Sequence, residues 1–240
     1  MGKLRFDRRY KIISNKQIAK DYFELKIEAK EAAQNCRPGQ FFMITAPGFF
    51  LRRPFSIYDA EGQIISFLYK AAGKGTKTLS EIKNGQIDAL GPLGNGYLEQ
   101  SAAARQKGKT AILIAGGTGI ASLFFLAKTI KEKIILFYGA KAKNDLLRLN
   151  QIKKFCNGVF ISTEDGSVGK KGFITKLLEK NLNLYTEAVF YICGPSEMIK
   201  SASAVLKRNH LKGFASLEEK MACGLGNCQG CAVKTKDGIE

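Results

Sequence analysis

The sequence predicts a β domain followed by an α/β domain: an antiparallel barrel, then a parallel-sheet domain, and finally a short cysteine-rich segment. Three observations support this order. Between residues 10 and 97, β-branched and aromatic segments are separated by turn residues about every eight to twelve positions. From residue 110 onward, continuous apolar segments alternate with segments of helical length. Three cysteines lie between residues 223 and 231.

The chain has 240 residues, of which 45% are hydrophobic, and is therefore long enough for two compact domains and an appendage. A polar stretch near residues 102–108 is typical of a linker. We therefore expect a barrel domain over residues 1–104, an α/β domain over 105–213 and a cysteine-containing segment over 214–240.

Composition excludes several classes of protein. No apolar run is long enough to span a membrane, and the N-terminus lacks the apolar middle of a signal peptide. We therefore expect a cytoplasmic protein with no membrane span. The formal net charge is +17, but the lysines are scattered along the chain, so nucleic acid is not an expected partner. The charge favours phosphate-bearing cofactors or an acidic protein surface.

In the first domain, strands are predicted over residues 10–14, 22–29, 41–45, 52–57 and 63–69. Arg53, Pro54 and Ser56 place a cation, an extended backbone and a hydroxyl on one strand, which suits a flavin's pyrophosphate and ring edge. The alternative is an ordinary basic edge strand. Residues 70–79 predict a glycine-rich turn into a short helix, a second anion site. Residues 90–97 are too rich in glycine for a regular element and predict a loop, either a third such site or a barrel-closing connection.

In the second domain, the predicted strands cover residues 110–115, 133–138, 158–163 and 188–192, and the predicted helices cover 120–131, 175–180 and 196–209. Gly116, Gly117, Thr118 and Gly119 follow the first strand, at the edge where open α/β sheets bind ligands. Their spacing is not the full dinucleotide fingerprint. Residues 139–143 end the second strand without the acid that would bind a ribose.

A later strand ends in Cys193, Gly194 and Pro195 at the same edge of the sheet. This position would let the thiol approach a nicotinamide. The competing interpretation is a buried cysteine acting as a small hydrophobic residue.

Near the end of the chain, Cys223, Cys228 and Cys231 have the Cys-x4-Cys-x2-Cys spacing of a [2Fe–2S] ligand set, with glycines between them. A zinc site is the alternative, but zinc sites usually combine two cysteine pairs or add histidines, and His210 is the only histidine in the sequence. A fourth local thiolate is missing.

Taken together, these motifs resemble the ferredoxin–NADP reductase superfamily, and the cysteine-rich tail resembles the electron transfer subunits of bacterial NAD-linked dihydroorotate dehydrogenases. The resemblance covers residues 5–236. The motifs that carry it lie at residues 53–56, 73–76, 91–96, 116–121, 163–167, 193–195 and 216–228.

The resemblance implies that electrons pass from an FMN-containing, dihydroorotate-oxidising subunit through a [2Fe–2S] cluster and FAD to NAD+, in a heteromeric complex expected to be a heterotetramer. It implies three cluster ligands, Cys223, Cys228 and Cys231. It assigns to FAD the residues Arg53, Pro54, Phe55, Ser56, Leu68, Tyr69, Lys70, Gly75 and Thr76. Two departures stand out: Ser122 replaces a frequent proline, and the family's fourth cysteine lies beyond Glu240.

Two other functions remain open. One is the small subunit of an NAD(P)H-linked ferredoxin or sulfide dehydrogenase, where Lys141 and Lys143 would favour the 2′-phosphate of NADP. The other is a non-enzymatic thiol or zinc module on a reductase fold.

The missing ligand leads to a last expectation. Cys36, Cys156 and Cys193 lie in other predicted elements, and residues 236–238 look like a hairpin tip whose return strand is absent. We therefore expect a premature end at Glu240 and a chain that binds FAD but holds the cluster poorly. Asp237 is the candidate oxygen ligand, although a carboxylate replaces a thiolate poorly.

Overall fold

The computed structural model describes residues 5–97, 110–235 and 238–239. The first part forms a closed antiparallel barrel with the strand order β1-β2-β5-β4-β3-β6. Its strands are β1 (Phe6–Ala19), β2 (Tyr22–Glu28), β3 (Phe41–Ile44), β4 (Arg53–Glu61), β5 (Ile64–Lys70) and β6 (Gln86–Leu93), and its helices are α1 (Lys30–Asn35) and α2 (Lys74–Glu81). The predicted barrel is confirmed, whereas α1 was not predicted.

The barrel interior is filled by alternate residues of its strands. Leu25 and Ile27 of β2 are fully buried, and Phe42 and Phe67 meet edge to face with their ring centroids 5.6 Å apart. This alternation of inward and outward side chains is what the period-two pattern of the sequence requires.

The prediction of a loop over residues 90–97 is wrong for its first part. Strand β6 continues to Leu93, because β1 and β3 flank it and supply hydrogen-bond partners on both sides. Gly91 lies within this strand, where an added Cβ would stand 2.4 Å from the ring of Phe42. The glycine therefore makes room for a core side chain. The loop begins at Gly94, which has a φ of 82°.

The second part is a six-stranded parallel sheet with the order β10-β9-β8-β7-β11-β12. Its strands are β7 (Ala111–Gly116), β8 (Ile134–Ala140), β9 (Gly158–Thr163), β10 (Lys170–Lys171), β11 (Val189–Cys193) and β12 (Gly213–Ser216). Its helices are α3 (Ile120–Thr129), α4 (Leu149–Ile152), α5 (Ile174–Asn181) and α6 (Ser196–Arg208). The predicted strands and helices are confirmed to within two residues at each end, whereas β10, β12 and α4 were not predicted. The predicted linker lies outside the described residues.

The barrel and the sheet share one hydrophobic cluster. The rings of Tyr58 on β4 and Phe124 on α3 lie 4.3 Å apart, and the buried Tyr97 hydroxyl is 2.8 Å from Ser122 Oγ. Ser122, one of the two departures noted in the sequence, therefore has a hydrogen-bond partner at the contact between the two parts. At the edge of this contact, Lys128 Nζ lies 3.0 Å from Asp59.

Among the described residues, no helix combines the length and apolar character needed to cross a membrane.

A buried amide connects helix α2 to the barrel. Asn15 is only 3% exposed, and its Nδ2 donates to the carbonyl oxygens of Leu79 at 2.7 Å and Ile82 at 2.9 Å. Its Oδ1 accepts a hydrogen bond from the Tyr69 hydroxyl at 3.0 Å. One side chain thus satisfies two carbonyls at the C-terminal end of the helix, where helices leave carbonyls unpaired.

We expect the substitution Asn15→Ala to lower the free energy of unfolding by about 3 kcal/mol, because the Ile82 carbonyl and the Tyr69 hydroxyl lose this partner and the Leu79 carbonyl keeps only the Ile82 N–H. Tyr69→Phe removes a single hydrogen bond and should cost about 1 kcal/mol. Urea denaturation followed by circular dichroism measures both values. Equal losses for the two variants would contradict this role of Asn15.

Candidate functional site

A cleft of about 570 Å³ lies where the parallel strands end and the barrel begins. Tyr22 and Lys70 line it from the barrel. Of the residues predicted to bind the nicotinamide cofactor, Gly116, Gly117, Thr118 and Pro195 line the cleft. This is the edge of an open α/β sheet at which ligands bind.

Two of the predicted glycines serve close packing of the loops. A Cβ at Gly119 would collide with the carbonyl group of Cys193, and a Cβ at Gly194 would stand 2.9 Å from the backbone of Gly116. A Cβ at Gly116 would itself stand 2.6 Å from the sulfur of Met198. These contacts hold the loops after β7 and β11 together. Gly117 differs, because its φ is 51° and no described atom lies within 4 Å of where its Cβ would be.

Cys193 is buried rather than open to the cleft. Its side chain is 2% exposed and belongs to the cluster shared by the barrel and the sheet. Burial raises the pKa of its thiol to about 12, so the thiol is neutral at physiological pH. The position therefore favours the interpretation of Cys193 as a small buried residue.

The structure adds an acid that sequence reasoning missed. Glu164, which follows β9, lines the same cleft as Lys141, whereas Lys143 lines a separate cavity. The search for a ribose-binding acid considered only the end of the second strand. Since adjacent parallel strands end at the same edge, the residue after the third strand was an equally good candidate.

Ser162, at the end of β9, also lines the cleft. It is 1% exposed, and its Oγ has no hydrogen-bond partner among the described residues. A buried hydroxyl without a partner costs free energy, so this atom is suited to bind a ligand.

Glu218, after β12, is a further cleft residue that the sequence analysis did not single out. Although much of its side chain remains exposed, the protein packed around its carboxyl group raises its pKa. No motif of the sequence pointed to it.

The predicted flavin residues Arg53, Gly75 and Thr76 come together at the start of β4 and helix α2. A Cβ at Gly75 would stand 2.6 Å from Arg53 Nε, so the guanidinium lies directly against the glycine backbone. Thr76 Oγ1 accepts a hydrogen bond from the Gly73 N–H at 3.1 Å and so caps the helix. A fixed cation beside free helix N–H groups makes a suitable site for phosphate.

The other predicted flavin residues divide into two groups. Phe55, Leu68 and Tyr69 are buried, with the ring of Phe55 edge-on to that of Tyr69 inside the barrel. Their side chains therefore belong to the core, and only their backbones are available to a ligand. Pro54 and Lys70 are exposed, and Ser56 is partly exposed.

The cysteine segment lies against the outside of the barrel. A Cβ at Gly224 would stand 2.5 Å from Met43 of β3 and 3.1 Å from Leu93 of β6. Cys223 Sγ accepts a hydrogen bond from the Leu225 N–H at 3.3 Å. The backbone N–H of Cys228, followed by that of Leu225, lowers the pKa of Cys223 to about 6, which favours the thiolate.

The structure does not show the three cysteines of this segment arranged as a metal site. Cys228 is exposed while Cys223 and Cys231 are half-buried, and the described part of the chain has no group of three ligand side chains placed to hold a metal. The prediction of a missing return strand is wrong in part. Strand β13 (Lys234–Thr235) pairs with β14 (Gly238–Ile239), so Gly238 belongs to a return strand. Residues 236 and 237, including the candidate ligand Asp237, lie outside the described residues.

Comparison with known proteins identifies the family. The oxidoreductase NAD-binding domain family matches residues 113–204. The dihydroorotate dehydrogenase B (NAD(+)) electron transfer subunit of Caldanaerobacter subterraneus is 37% identical over 239 residues, covering 98% of this chain and 91% of that protein. The subunit of the same name from Fusobacterium nucleatum is 38% identical over 234 residues, covering 92% and 87%.

A solved structure of an NADH-dependent reduced ferredoxin-NADP oxidoreductase has a TM-score of 0.82 and 26% identity, and the match covers 100% of this chain and 86% of that one. Its reductase fold agrees with the barrel and parallel sheet described above. The relatives named for dihydroorotate dehydrogenase are more similar in sequence over a comparable length. The chain belongs to the family of electron transfer subunits of NAD-linked dihydroorotate dehydrogenase B.

Proposed function

We propose that this chain carries electrons from a separate FMN-containing subunit, which oxidises dihydroorotate, to NAD+. The observation that carries the proposal is the single cleft lined by Tyr22 and Lys70 of the barrel and by Gly116, Gly117 and Thr118 of the sheet. When bound, FAD would exchange a hydride with the nicotinamide, while the protein supplies position and electrostatics. Such an exchange requires the two rings to be held in contact, which one cleft between the two parts allows.

Arg53 and the N-terminal end of α2 would hold the FAD pyrophosphate. The guanidinium lies against Gly75, where a Cβ would displace it, so the glycine allows this cation to sit beside the first turn of the helix. The N–H groups of the first helical turn have no partner within the helix, so they can donate hydrogen bonds to an anion, as the guanidinium can. Ser56 is partly exposed on β4 and would donate its hydroxyl to the flavin edge.

Ser162 and Glu164 would bind the ribose of NAD. The Ser162 Oγ has no partner among the described residues, and the Glu164 carboxylate accepts hydrogen bonds, so the pair suits a ribose diol. A carboxylate also repels the 2′-phosphate of NADP. The two residues therefore support NAD as the cofactor, even though Lys141 lines the same cleft.

Cys223, Cys228 and Cys231 would hold a [2Fe–2S] cluster. The donor set suits iron, because thiolates are its ligands and backbone N–H groups already favour the thiolate of Cys223. Their segment rests on Met43, which pairs with Pro54 of the flavin strand β4. We further propose a cytoplasmic heteromeric complex, in which the +17 charge favours an acidic partner surface.

The proposal is tested by producing this chain together with the catalytic subunit of a dihydroorotate dehydrogenase B from one of its relatives. We expect the purified complex to reduce NAD+ with dihydroorotate and this chain alone not to do so. Arg53→Met should lower the FAD content and the NAD-linked rate about tenfold, because a charge-assisted phosphate contact is lost. Oxidation of dihydroorotate with an artificial acceptor should remain, since it needs only the partner.

A different result would contradict the proposed function. A chain that binds FAD and passes electrons from NADPH to ferredoxin, without associating with the catalytic subunit, would favour the ferredoxin-linked alternative.

The cofactor preference is tested with Glu164→Gln. Removing the negative charge should lower the ratio of kcat/KM for NADH to that for NADPH about tenfold, because the 2′-phosphate is no longer repelled. Glu187→Gln, at an exposed position outside the cleft lining, is the matched control and should leave the ratio unchanged. An unchanged ratio in the Glu164 variant would remove this residue from the cofactor site.

The cluster is tested by measuring iron and labile sulfide on the purified chain. We expect fewer than two of each per chain, since the segment offers three thiols in place of the usual four. Cys228→Ser should lower both contents further, whereas Cys156→Ser, beside helix α4, should not change them. Zinc without sulfide would instead favour the thiol or zinc module.

A further inference from the structure

The connection between β3 and β4 presents an aromatic ring to solvent. Phe50 is 100% exposed, more than any other large apolar side chain among the described residues, and the adjacent Leu51 is 50% exposed. Full exposure of an aromatic side chain is unfavourable in water, so a ring held in this way is suited to contact a ligand or partner.

The connection is well held at its base. The Phe49 N–H donates to the Ala46 carbonyl at 3.1 Å, and Gly48 takes a φ of 78° to make the turn. Arg52 bridges Asp7 at 2.7 Å and Thr45 at 3.3 Å. Phe50 is therefore exposed on a turn that hydrogen bonds hold in place.

The same turn holds the residue proposed to bind the FAD pyrophosphate. The ring of Phe49 lies 4.3 Å from the guanidinium carbon of Arg53, which also donates a hydrogen bond to the Leu51 carbonyl. Arg53 is thus held between the turn on one side and Gly75 on the other. The turn is adjacent to the position of the phosphates.

FAD consists of a flavin half and an adenosine half, which are joined at the pyrophosphate. The flavin half must reach the cleft lined by Lys70, where the nicotinamide cofactor would bind. The adenosine half would need a contact of its own, and the turn whose Phe49 ring contacts Arg53 carries the exposed Phe50 ring. A purine base has an apolar face that stacks on such a ring.

We propose that Phe50 stacks against the adenine of FAD and that this contact makes the site prefer FAD to FMN. The proposal rests on the proposed FAD site and adds a residue for the half of the cofactor that FMN lacks. FMN carries the same flavin and a phosphate for Arg53, so loss of the Phe50 ring should affect FAD alone.

The test compares Kd values of FAD and FMN for flavin-free full-length protein, measured by calorimetry and flavin fluorescence. Phe50→Ala should raise the Kd of FAD about tenfold, as expected for the loss of one base stack. The Kd of FMN should change less than twofold. Phe50→Tyr keeps the ring and should keep wild-type affinity for FAD. Leu184→Ala, at another exposed apolar position, is the matched control and should change neither value.

Three other outcomes would overturn the proposal. An equal rise in both Kd values would assign Phe50 to the phosphate or the turn. Unchanged FAD affinity together with loss of binding to the catalytic subunit would make Phe50 an anchor for a protein partner. Absence of flavin binding in the wild-type chain would instead reject the proposed FAD site itself.

Discussion

The packing of the barrel against the parallel sheet is the constraint on which the functional cleft depends. Aromatic side chains from both parts share one cluster, with Tyr58 against Phe124 and the Tyr97 hydroxyl bonded to Ser122. Close packing leaves such a contact little freedom to slide. The core therefore sets the distance between the strands proposed to bind flavin and the loops proposed to bind nicotinamide. The loops themselves need only shape the cleft.

The net charge of this protein differs in character from the mixture of charges that lines the cleft. The chain carries a net charge of +17, yet the cleft combines Lys70 and Lys141 with the acids Glu164 and Glu218. Cations beside helix N-termini suit phosphates, whereas a carboxylate suits ribose hydroxyls. This combination of charges supports the proposed preference of the cleft for NAD over NADP.

The glycines of this chain have different structural roles. Gly119 allows the loop after β7 to pack on the carbonyl of Cys193, and Gly91 gives the ring of Phe42 its space inside the barrel. Gly117 has a left-handed φ and an open surrounding in the cleft. Only the last arrangement resembles the ligand-binding use that the glycine-rich sequence suggested for all of them.

The sequence by itself determined the order of the two domains and most of their elements, because hydrophobic periodicity records which faces of strands and helices are buried. Spacing identified the cysteine segment, and residue types singled out the Arg53 strand. Only the tertiary structure decided that Glu164 shares a cleft with Gly116, that residues 90–93 form a strand, and that Cys193 is buried. These are contacts between segments distant in the chain, and local patterns carry no information on which strand ends meet or which neighbours flank a glycine-rich segment.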